Sequence, residues 1–298
     1  MPAPFGRVAA ALVTPFHPDG SLDPEGAQAL AVHLVDRGCD GLVVSGTTGE
    51  ASTTGDAEKE TLLRAVLEAV GDRAAVTAGI GSNDTRHTLE LARTAERAGA
   101  HGLLAVTPYY SRPTQEGVRR HFGALADGTG LPVMLYDIPG RTGTALARDT
   151  VLRLAEHPRI AAVKDAAYDL AASARLIASS GLAYYSGADE LNLPLYALGA
   201  VGAVSTVANA APEAVGAVLD AHRRGDTAGA TALNARLLPL VEAMTTLAPG
   251  TVTAKALLRH LGLPAGPVRL PLLDADRALT DALVRGYLAA TAEPAAAG

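Results

Sequence analysis

The feature that most constrains the fold is an eightfold alternation of short apolar runs with segments of helical period. One such helical segment carries Leu62, Val66 and Val70 on one face. The eight runs of strand length are Ala9–Val13, Gly41–Ser45, Ala75–Ala78, Gly102–Val106, Val133–Tyr136, Ile160–Lys164, Ala183–Ser186 and Gly202–Ser205. Strands that alternate with helices predict a parallel sheet. Eight units in succession favour an α/β fold in the form of a closed (β/α)8 TIM barrel over an open sheet.

The pattern changes after residue 210, where no further strand is predicted. The remaining helical segments are Ala211–Arg224, Thr227–Leu247, Val252–Leu261 and Arg277–Ala290. We therefore expect residues 1–210 to form the barrel and residues 211–298 to form a C-terminal helical extension. Because no linker separates the two regions, we expect the extension to pack on the barrel.

A short glycine motif recurs at three of the predicted helix-to-strand junctions. It occurs as Gly38-Cys39-Asp40-Gly41, Gly99-Ala100-His101-Gly102 and Gly199-Ala200-Val201-Gly202. The first glycine of each copy is expected to end a helix. The second is expected where a strand passes close to its neighbour.

Composition and charge exclude several classes of function. The net charge of −6 gives no basic surface for nucleic acid. The eight histidines lack metal-ligand spacing, and the single cysteine, Cys39, is expected to be a buried thiol. The uncharged stretch Leu193–Ala211 is as long as a membrane span, but it is better explained as a helix followed by a strand. With no signal peptide pattern in Met1–Val8, we expect a cytoplasmic protein with no membrane partner.

Lys164 stands at the carboxyl end of the sixth predicted strand. The chain has only three lysines, and Lys59 and Lys255 lie in helical segments, where we expect solvated ammonium groups. Apolar surroundings at a strand end disfavour a charged amine and favour the neutral form that attacks carbonyl groups. The alternative, which the position alone leaves open, is a lysine whose amine reaches out to solvent.

If the chain is a barrel, the polar residues that follow its strands converge on one mouth. They include Thr107-Pro108-Tyr109-Tyr110, Tyr136-Asp137-Ile138-Pro139-Gly140-Arg141 and Lys164. An amine, phenols and a guanidinium suit carbonyl chemistry on a carboxylate substrate. The segment Gly46-Thr47-Thr48-Gly49 lacks the residues of a phosphate-binding loop, so we interpret it as a plain turn or as a carboxylate-binding nest. Asp165 is expected to face away from Lys164 and to be structural.

On these motifs the chain resembles the dihydrodipicolinate synthase and N-acetylneuraminate lyase family of class I aldolase-like barrels. The resemblance runs from about Phe5 to about Tyr287. It rests on Gly46-Thr47-Thr48-Gly49-Glu50, Thr107-Pro108-Tyr109-Tyr110, Tyr136-Asp137-Ile138-Pro139-Gly140-Arg141-Thr142-Gly143 and Val163-Lys164-Asp165. Within the family, Thr47 and Arg141 favour the synthase branch, and the form of the fifth-strand motif is that of its actinobacterial members.

The resemblance implies four catalytic residues. Lys164 would form a Schiff base with pyruvate, and the resulting enamine would attack L-aspartate 4-semialdehyde to give 4-hydroxy-tetrahydrodipicolinate, for lysine and diaminopimelate biosynthesis. Tyr136 would donate and accept the proton at the imine. Thr48 would connect Tyr136 to Tyr110, and a neighbouring subunit would contribute Tyr110.

It also implies a set of substrate-binding residues. Thr47 and Thr48 would hold the pyruvate carboxylate, and Arg141 would bind the semialdehyde carboxylate. Gly187 and Val204 would shape the floor of the pocket. No cofactor is implied, because the lysine imine withdraws electrons itself, and the expected assembly is a homotetramer built as a dimer of dimers.

Two other functions remain open at this stage. One is a pyruvate-dependent aldolase of the same family that acts on another aldehyde, such as a sugar acid or sialic acid. The other is a paralogue that senses a keto acid without turnover, although the intact set of Lys164, Tyr136, Thr48 and Tyr110 opposes it.

The sequence also departs from the family at positions near the mouth. Asp56, Lys59 and His87 stand where lysine-sensitive members tend to have His, His and Glu, whereas Asn83 and Tyr109 match. Losing an acceptor and gaining a cation predicts weak or absent feedback inhibition by L-lysine. Asp137 stands where asparagine is common, and we interpret it as a subgroup trait without a catalytic role.

Overall fold

The computed structural model describes residues 3–292, and within them eight parallel strands close into one barrel in chain order. The strands are β1 Val8–Ala11, β2 Gly41–Val44, β3 Ala75–Gly79, β4 Gly102–Val106, β5 Val133–Asp137, β6 Ile160–Asp165, β7 Ala183–Ser186 and β8 Gly202–Ser205. β1 pairs with both β2 and β8, which closes the sheet. The predicted barrel is confirmed, with each strand within two residues of its expected bounds.

Helices cover the outside of the barrel and continue beyond it. They are α1 Pro24–Asp36, α2 Asp56–Val70, α3 Thr85–Ala98, α4 Gln115–Asp127, α5 Pro139–Thr142, α6 Arg148–Ala155, α7 Leu170–Ser180, α8 Asn192–Leu198, α9 Pro212–Arg223, α10 Thr227–Thr245, α11 Gly250–His260 and α12 Arg277–Thr291. The last four are the helices predicted after the final strand. α9 packs against β1 and α8, and α10 packs against α9 and α12. The division of the chain at residue 210 stays a prediction.

The local signals for helix ends act as the sequence indicates. The Asp23 side chain accepts a hydrogen bond from the Gly26 N–H, and Pro24 opens α1. Gly38, Gly99 and Gly199, the first glycines of the recurrent motif, have φ of 102°, 91° and 111°. This left-handed conformation strongly favours glycine, so the three residues end their helices for the predicted reason.

The second glycine of each motif has a different role from the one expected. A Cβ atom on Gly41 would lie 2.2 Å from the Phe5 carbonyl oxygen, and one on Gly202 would lie 2.2 Å from that of Arg7. A Cβ atom on Gly102 would lie 2.4 Å from the Phe5 ring. These glycines therefore make room for the N-terminal segment 5–7, which crosses the bottom of the barrel, rather than for a neighbouring strand.

Two apolar layers result from the alternation of side chains along the strands. The outer layer, between sheet and helices, is the larger one. The inner layer is built from Ala, Val and Leu side chains together with Phe5, Met134, Tyr136 and Tyr185. Phe5 fills the bottom of the barrel, so the interior is packed and the polar strand ends are left at the opposite mouth.

Cys39 is buried, as expected, and burial raises the pKa of its thiol to about 12. The stretch Leu193–Ala211 contains α8 and β8, which confirms the helix-then-strand interpretation. Among residues 3–292, no helix is both long enough and apolar enough to cross a membrane.

Candidate active site

A cavity of about 290 Å³ opens at the carboxyl ends of the strands. Six of the eight predicted site residues line it: Thr47, Thr48, Tyr136, Arg141, Lys164 and Gly187. They come from the ends of β2, β5, β6 and β7, which are distant in sequence and are brought together by the barrel. This is the face at which barrel enzymes carry their chemistry.

Lys164 lines this cavity at the end of β6. It pairs in register with Tyr136 on β5, and its Nζ atom lies 4.1 Å from the centre of the Tyr136 ring. The residue is 5% exposed, so its amine does not reach bulk solvent. It forms no ion pair with any residue between 3 and 292. The arrangement is a buried amine, open to a cavity and without a counter-ion, next to a phenol.

Gly187 is required by the path of the lysine side chain. A Cβ atom at residue 187 would lie 2.9 Å from Cγ and 3.0 Å from Cε of Lys164. Any larger residue would therefore push the lysine away from its present position.

Two predicted residues do not line the cavity that contains Lys164. Val204 is buried in the inner layer of the barrel core. Tyr110 lines an adjacent cavity of about 390 Å³ and is 90% exposed. Within the described residues, the Thr48 hydroxyl lies 3.2 Å from that of Thr206 and hydrogen bonds to neither Tyr136 nor Tyr110. The predicted connection between the two tyrosines is thus not formed within one chain.

The loop after β2 is held by α11 and by the segment between α11 and α12. Lys255 on α11 lies 2.6 Å from Glu50 Oε1, and the Arg269 N–H donates to Glu50 Oε2 at 2.9 Å. The Thr251 hydroxyl donates to the Thr47 carbonyl oxygen at 3.3 Å. The extension therefore fixes the backbone that presents Thr47 and Thr48 to the cavity.

The expectation that Lys255 and Lys59 are solvated is wrong. Lys255 is 0% exposed, and burial lowers the pKa of its ammonium to about 8. The Lys59 side chain is 13% exposed, and burial lowers its pKa too. The helical period placed these residues on helices but gave no information about the loops that cover them.

Backbone strain is concentrated at the mouth. Ser45, Glu50, Tyr110 and Tyr168 all have φ between 54° and 69°, in the left-handed region that non-glycine residues rarely adopt. Such conformations persist where the surrounding structure enforces them, and they occur often at functional sites.

Behind the site, two carboxylates face away from the cavity. Asp165 accepts hydrogen bonds from the Ser173 hydroxyl and the Ala167 N–H, so its expected outward and structural position is confirmed. Asp137 pairs in register with Asp165 and accepts from the Leu146 N–H. Burial, with a smaller contribution from Asp165, raises the pKa of Asp137 to about 7.

Sequence reasoning assigned no role to several polar residues of the cavity wall, among them Tyr168, Asp189, Glu190 and Thr206. Thr206 follows β8 directly, so the pattern of polar residues at strand ends could have found it. The other three lie on loops whose course no local pattern predicts. Asp189 is fully buried and accepts four hydrogen bonds, two of them from the Thr206 and Val207 N–H groups, so it fixes the loop after β8.

The residues that depart from the family near the mouth contact one another. His87 Nε2 lies 2.9 Å from Asp56 Oδ2, and the Lys59 ammonium lies 3.9 Å from Asp56 Oδ1. Lys59 also donates a hydrogen bond to the Thr54 carbonyl oxygen. The single carboxylate of this cluster already has two basic partners.

A closed eight-stranded barrel with a buried lysine at the end of β6, facing a tyrosine on β5, defines an aldolase-like barrel enzyme of the lyase class. The chain belongs to the dihydrodipicolinate synthetase family, whose model matches residues 4–287.

Its relatives agree in sequence and in structure. A Streptomyces coelicolor protein named 4-hydroxy-tetrahydrodipicolinate synthase 1 is 63% identical over 286 residues, which are 96% of this chain and 94% of that protein. A dihydrodipicolinate synthase from Cyanidioschyzon merolae, with lysine bound, is 39% identical with a TM-score of 0.94, and the match covers 97% of this chain and 99% of that one. A dihydrodipicolinate synthase described as a monomeric variant is 32% identical with a TM-score of 0.93, over 96% of this chain and 97% of that one.

Proposed function

We propose that this chain condenses pyruvate with L-aspartate 4-semialdehyde to form 4-hydroxy-tetrahydrodipicolinate in lysine and diaminopimelate biosynthesis. The observation that carries the proposal is the buried amine of Lys164, which has no ion-pair partner among residues 3–292 and lines the same cavity as Arg141. The 63% identical relative named as this synthase supports the choice of aldehyde.

The reaction begins with attack of the Lys164 Nζ atom on the C2 carbonyl of pyruvate, and loss of water gives the imine. Removal of a C3 proton gives the enamine, whose C3 attacks the aldehyde carbon. The aldehyde oxygen takes up a proton and becomes the hydroxyl group. The substrate amino group then attacks the imine carbon, which closes the ring and releases the lysine amine. The chain needs no cofactor for this sequence, because the imine withdraws electrons from C3.

The surrounding residues take the roles that their positions allow. Tyr136, whose ring faces the Lys164 amine at 4.1 Å, transfers protons at the imine. Thr47 and Thr48 hold the pyruvate carboxylate on the loop that the C-terminal helices fix. Arg141 binds the carboxylate of the semialdehyde, since a guanidinium fork matches a carboxylate with two parallel hydrogen bonds.

We further propose that the working enzyme is an oligomer, a homotetramer of paired dimers, in which Tyr110 completes a neighbour's site. Tyr110 is a 90% exposed aromatic residue held in a left-handed conformation with φ of 69°. A strained backbone that presents a large ring to solvent is explained if the ring enters another subunit, where it reaches Thr48. Sedimentation of wild type and Tyr110→Phe tests the assembly, and a fully active monomer would reject it.

The direct test of function is a coupled assay. Purified chain, pyruvate and L-aspartate 4-semialdehyde are combined with the downstream reductase, and loss of NADPH is followed. Robust turnover is the expected result. No turnover, with a pyruvate adduct still trapped on Lys164 by borohydride, would reject the synthase and retain the imine chemistry with another aldehyde.

A further inference from the structure

The cavity that contains Lys164 is lined by five charged side chains: Glu50, Arg141, Lys164, Asp189 and Glu190. Two of the three carboxylates are already satisfied. Glu50 is paired with Lys255 at 2.6 Å, and Asp189 accepts four hydrogen bonds from the loops around it. Among these three carboxylates, Glu190 is therefore the one with an oxygen that neither a hydrogen bond nor an ion pair from the described residues reaches.

The surroundings of Glu190 hold it in place without neutralising it. Its Oε1 atom accepts a hydrogen bond from the Tyr168 hydroxyl at 2.7 Å. Its Oε2 atom is buried and has no hydrogen-bond donor among residues 3–292. Burial, and then this contact with Glu190, raise the pKa of Tyr168, so the phenol stays a donor. Leaving a buried carboxylate oxygen unpaired is costly, which favours a ligand that supplies a donor.

Arg141 is a cation of the same cavity that could bind a group of negative charge. It lines the same cavity, and it forms no ion pair with any residue of the described part of the chain. Apart from the lysine that forms the imine, the cavity thus contains one cation without an ion-pair partner, Arg141, and one carboxylate, Glu190, with an oxygen that no hydrogen bond or ion pair from residues 3–292 reaches. A zwitterionic α-amino acid head group presents the matching charges, a carboxylate and an ammonium group.

We infer that Glu190, oriented by Tyr168, binds the α-ammonium group of the aldehyde substrate and so selects amino acid aldehydes over aldehydes that lack the amino group. This inference rests on the proposed function and names the determinant of its second substrate. Arg141 then binds the carboxylate and Glu190 binds the ammonium group. The aldehyde end of the substrate is left free to react with the enamine on Lys164.

The chemistry of the reaction limits when this contact acts. The amino group must leave Glu190 before it can attack the imine carbon and close the ring. The contact therefore contributes to binding of the aldehyde, and its loss should change KM more than kcat.

The experiment compares two aldehydes in one enzyme. Glu190→Gln keeps the size of the side chain and removes its charge, and it should raise KM for L-aspartate 4-semialdehyde by on the order of tenfold to a hundredfold. Succinate semialdehyde has the same carboxylate and aldehyde but no amino group, so Glu190→Gln should leave its inhibition constant within about twofold of the wild-type value.

Two further variants complete the design. Arg141→Ala should weaken the binding of both aldehydes, because both carry the carboxylate. Asp149→Asn removes one negative charge from an exposed position outside the cavity, and it should change neither constant. Trapping of pyruvate on Lys164 by borohydride checks that each variant is folded and can form the imine.

The outcomes separate the inference from the proposed function. Suppose the wild-type chain turns over L-aspartate 4-semialdehyde, but Glu190→Gln weakens the binding of both aldehydes equally or of neither. Glu190 then does not bind the ammonium group, and the inference is wrong. If the wild-type chain does not turn over the semialdehyde, the proposed function fails and the inference fails with it.

Discussion

Lys164 and Lys255 are both hidden from solvent, at 5% and 0% exposure, in a chain with three lysines. Lys255 is surrounded by partners, because its ammonium lies 2.6 Å from Glu50, donates to the Pro267 carbonyl oxygen at 2.8 Å and stacks on Phe16 at 4.0 Å. Lys164 has a phenol ring beside it, a cavity in front of it and no ion-pair partner in residues 3–292.

The comparison shows that burial alone does not make a lysine reactive. A carboxylate partner keeps an ammonium charged and occupied, so Lys255 serves as a structural cation that ties α11 to the loop after β2. A buried amine without a partner, and with room for a ligand, is free to act as a nucleophile. The two lysines therefore differ in the residues that surround their amines and not in how deeply they are buried.

The strongest test of this contrast is Lys164→Ala. It should lower turnover by at least about 10³-fold, because the covalent step is lost. Mass spectrometry after pyruvate and borohydride treatment should show no adduct. Lys59→Ala is the matched control, and it should keep the adduct. An adduct that persisted on Lys164→Ala would mean that another amine forms the imine.

Lys255→Met should have the opposite effect: it should lower stability but leave imine formation on Lys164 intact. It leaves Glu50 as an uncompensated buried charge, which should lower the free energy of unfolding by about 3–5 kcal/mol. Denaturant unfolding measures the loss, and borohydride trapping should still label Lys164 in the folded variant. The double variant Glu50→Gln/Lys255→Met should recover much of the stability, since neither charge remains. An unchanged stability in Lys255→Met would show that the pair contributes little.

Asp137 extends the comparison to a buried acid on the outer side of β5. Its pKa in the folded chain is raised from 3.8 to about 7, so folding favours its protonated form. Its contribution to stability is complete below about pH 4 and is lost as the pH rises towards 7. Asp137→Asn should therefore raise stability at pH 8 by on the order of 3 kcal/mol and change it little at pH 4.

Thermal unfolding at the two pH values measures the effect of Asp137→Asn. Asp149→Asn, which changes an exposed carboxylate, is the control and should show no such dependence on pH. A gain that was equal at both pH values would assign the effect to packing rather than to protonation.

The smallest effect is expected from free L-lysine. Asp56 is already paired with His87 at 2.9 Å and has Lys59 at 3.9 Å, so it offers little to a further ammonium group. Added L-lysine below 1 mM should therefore change the rate by less than about twofold. A clear fall in rate in that range would contradict the expectation that this cluster weakens feedback inhibition.

Much of the fold followed from local patterns. The strand bounds, the start of α1 at Asp23 and Pro24, and the three glycine helix ends depend on neighbours in sequence, so the chain itself predicts them. The position of Lys164 at the mouth followed from its place at the end of a strand.

The remainder depends on contacts between segments far apart in sequence. Lys255 was expected to be solvated because its partner Glu50 lies two hundred residues earlier in the chain, beyond any periodic pattern. Glu190 and Tyr168 were missed for a different reason: they lie on the loops after β7 and β6, and no periodic pattern predicts that their side chains meet. Tyr110 was predicted to act in a neighbouring subunit, and this role stays a prediction, because its own chain leaves the ring exposed to solvent.

The segment that crosses the bottom of the barrel has a consequence for how the protein is made. The Arg7 carbonyl oxygen accepts a hydrogen bond from the Ala203 N–H, so residues 5–7 complete their contacts only when β8 exists. During translation these residues emerge long before their last partner does. Ring closure is thus a step of high contact order, and a nascent fragment that lacks β8 cannot complete the bottom of the barrel.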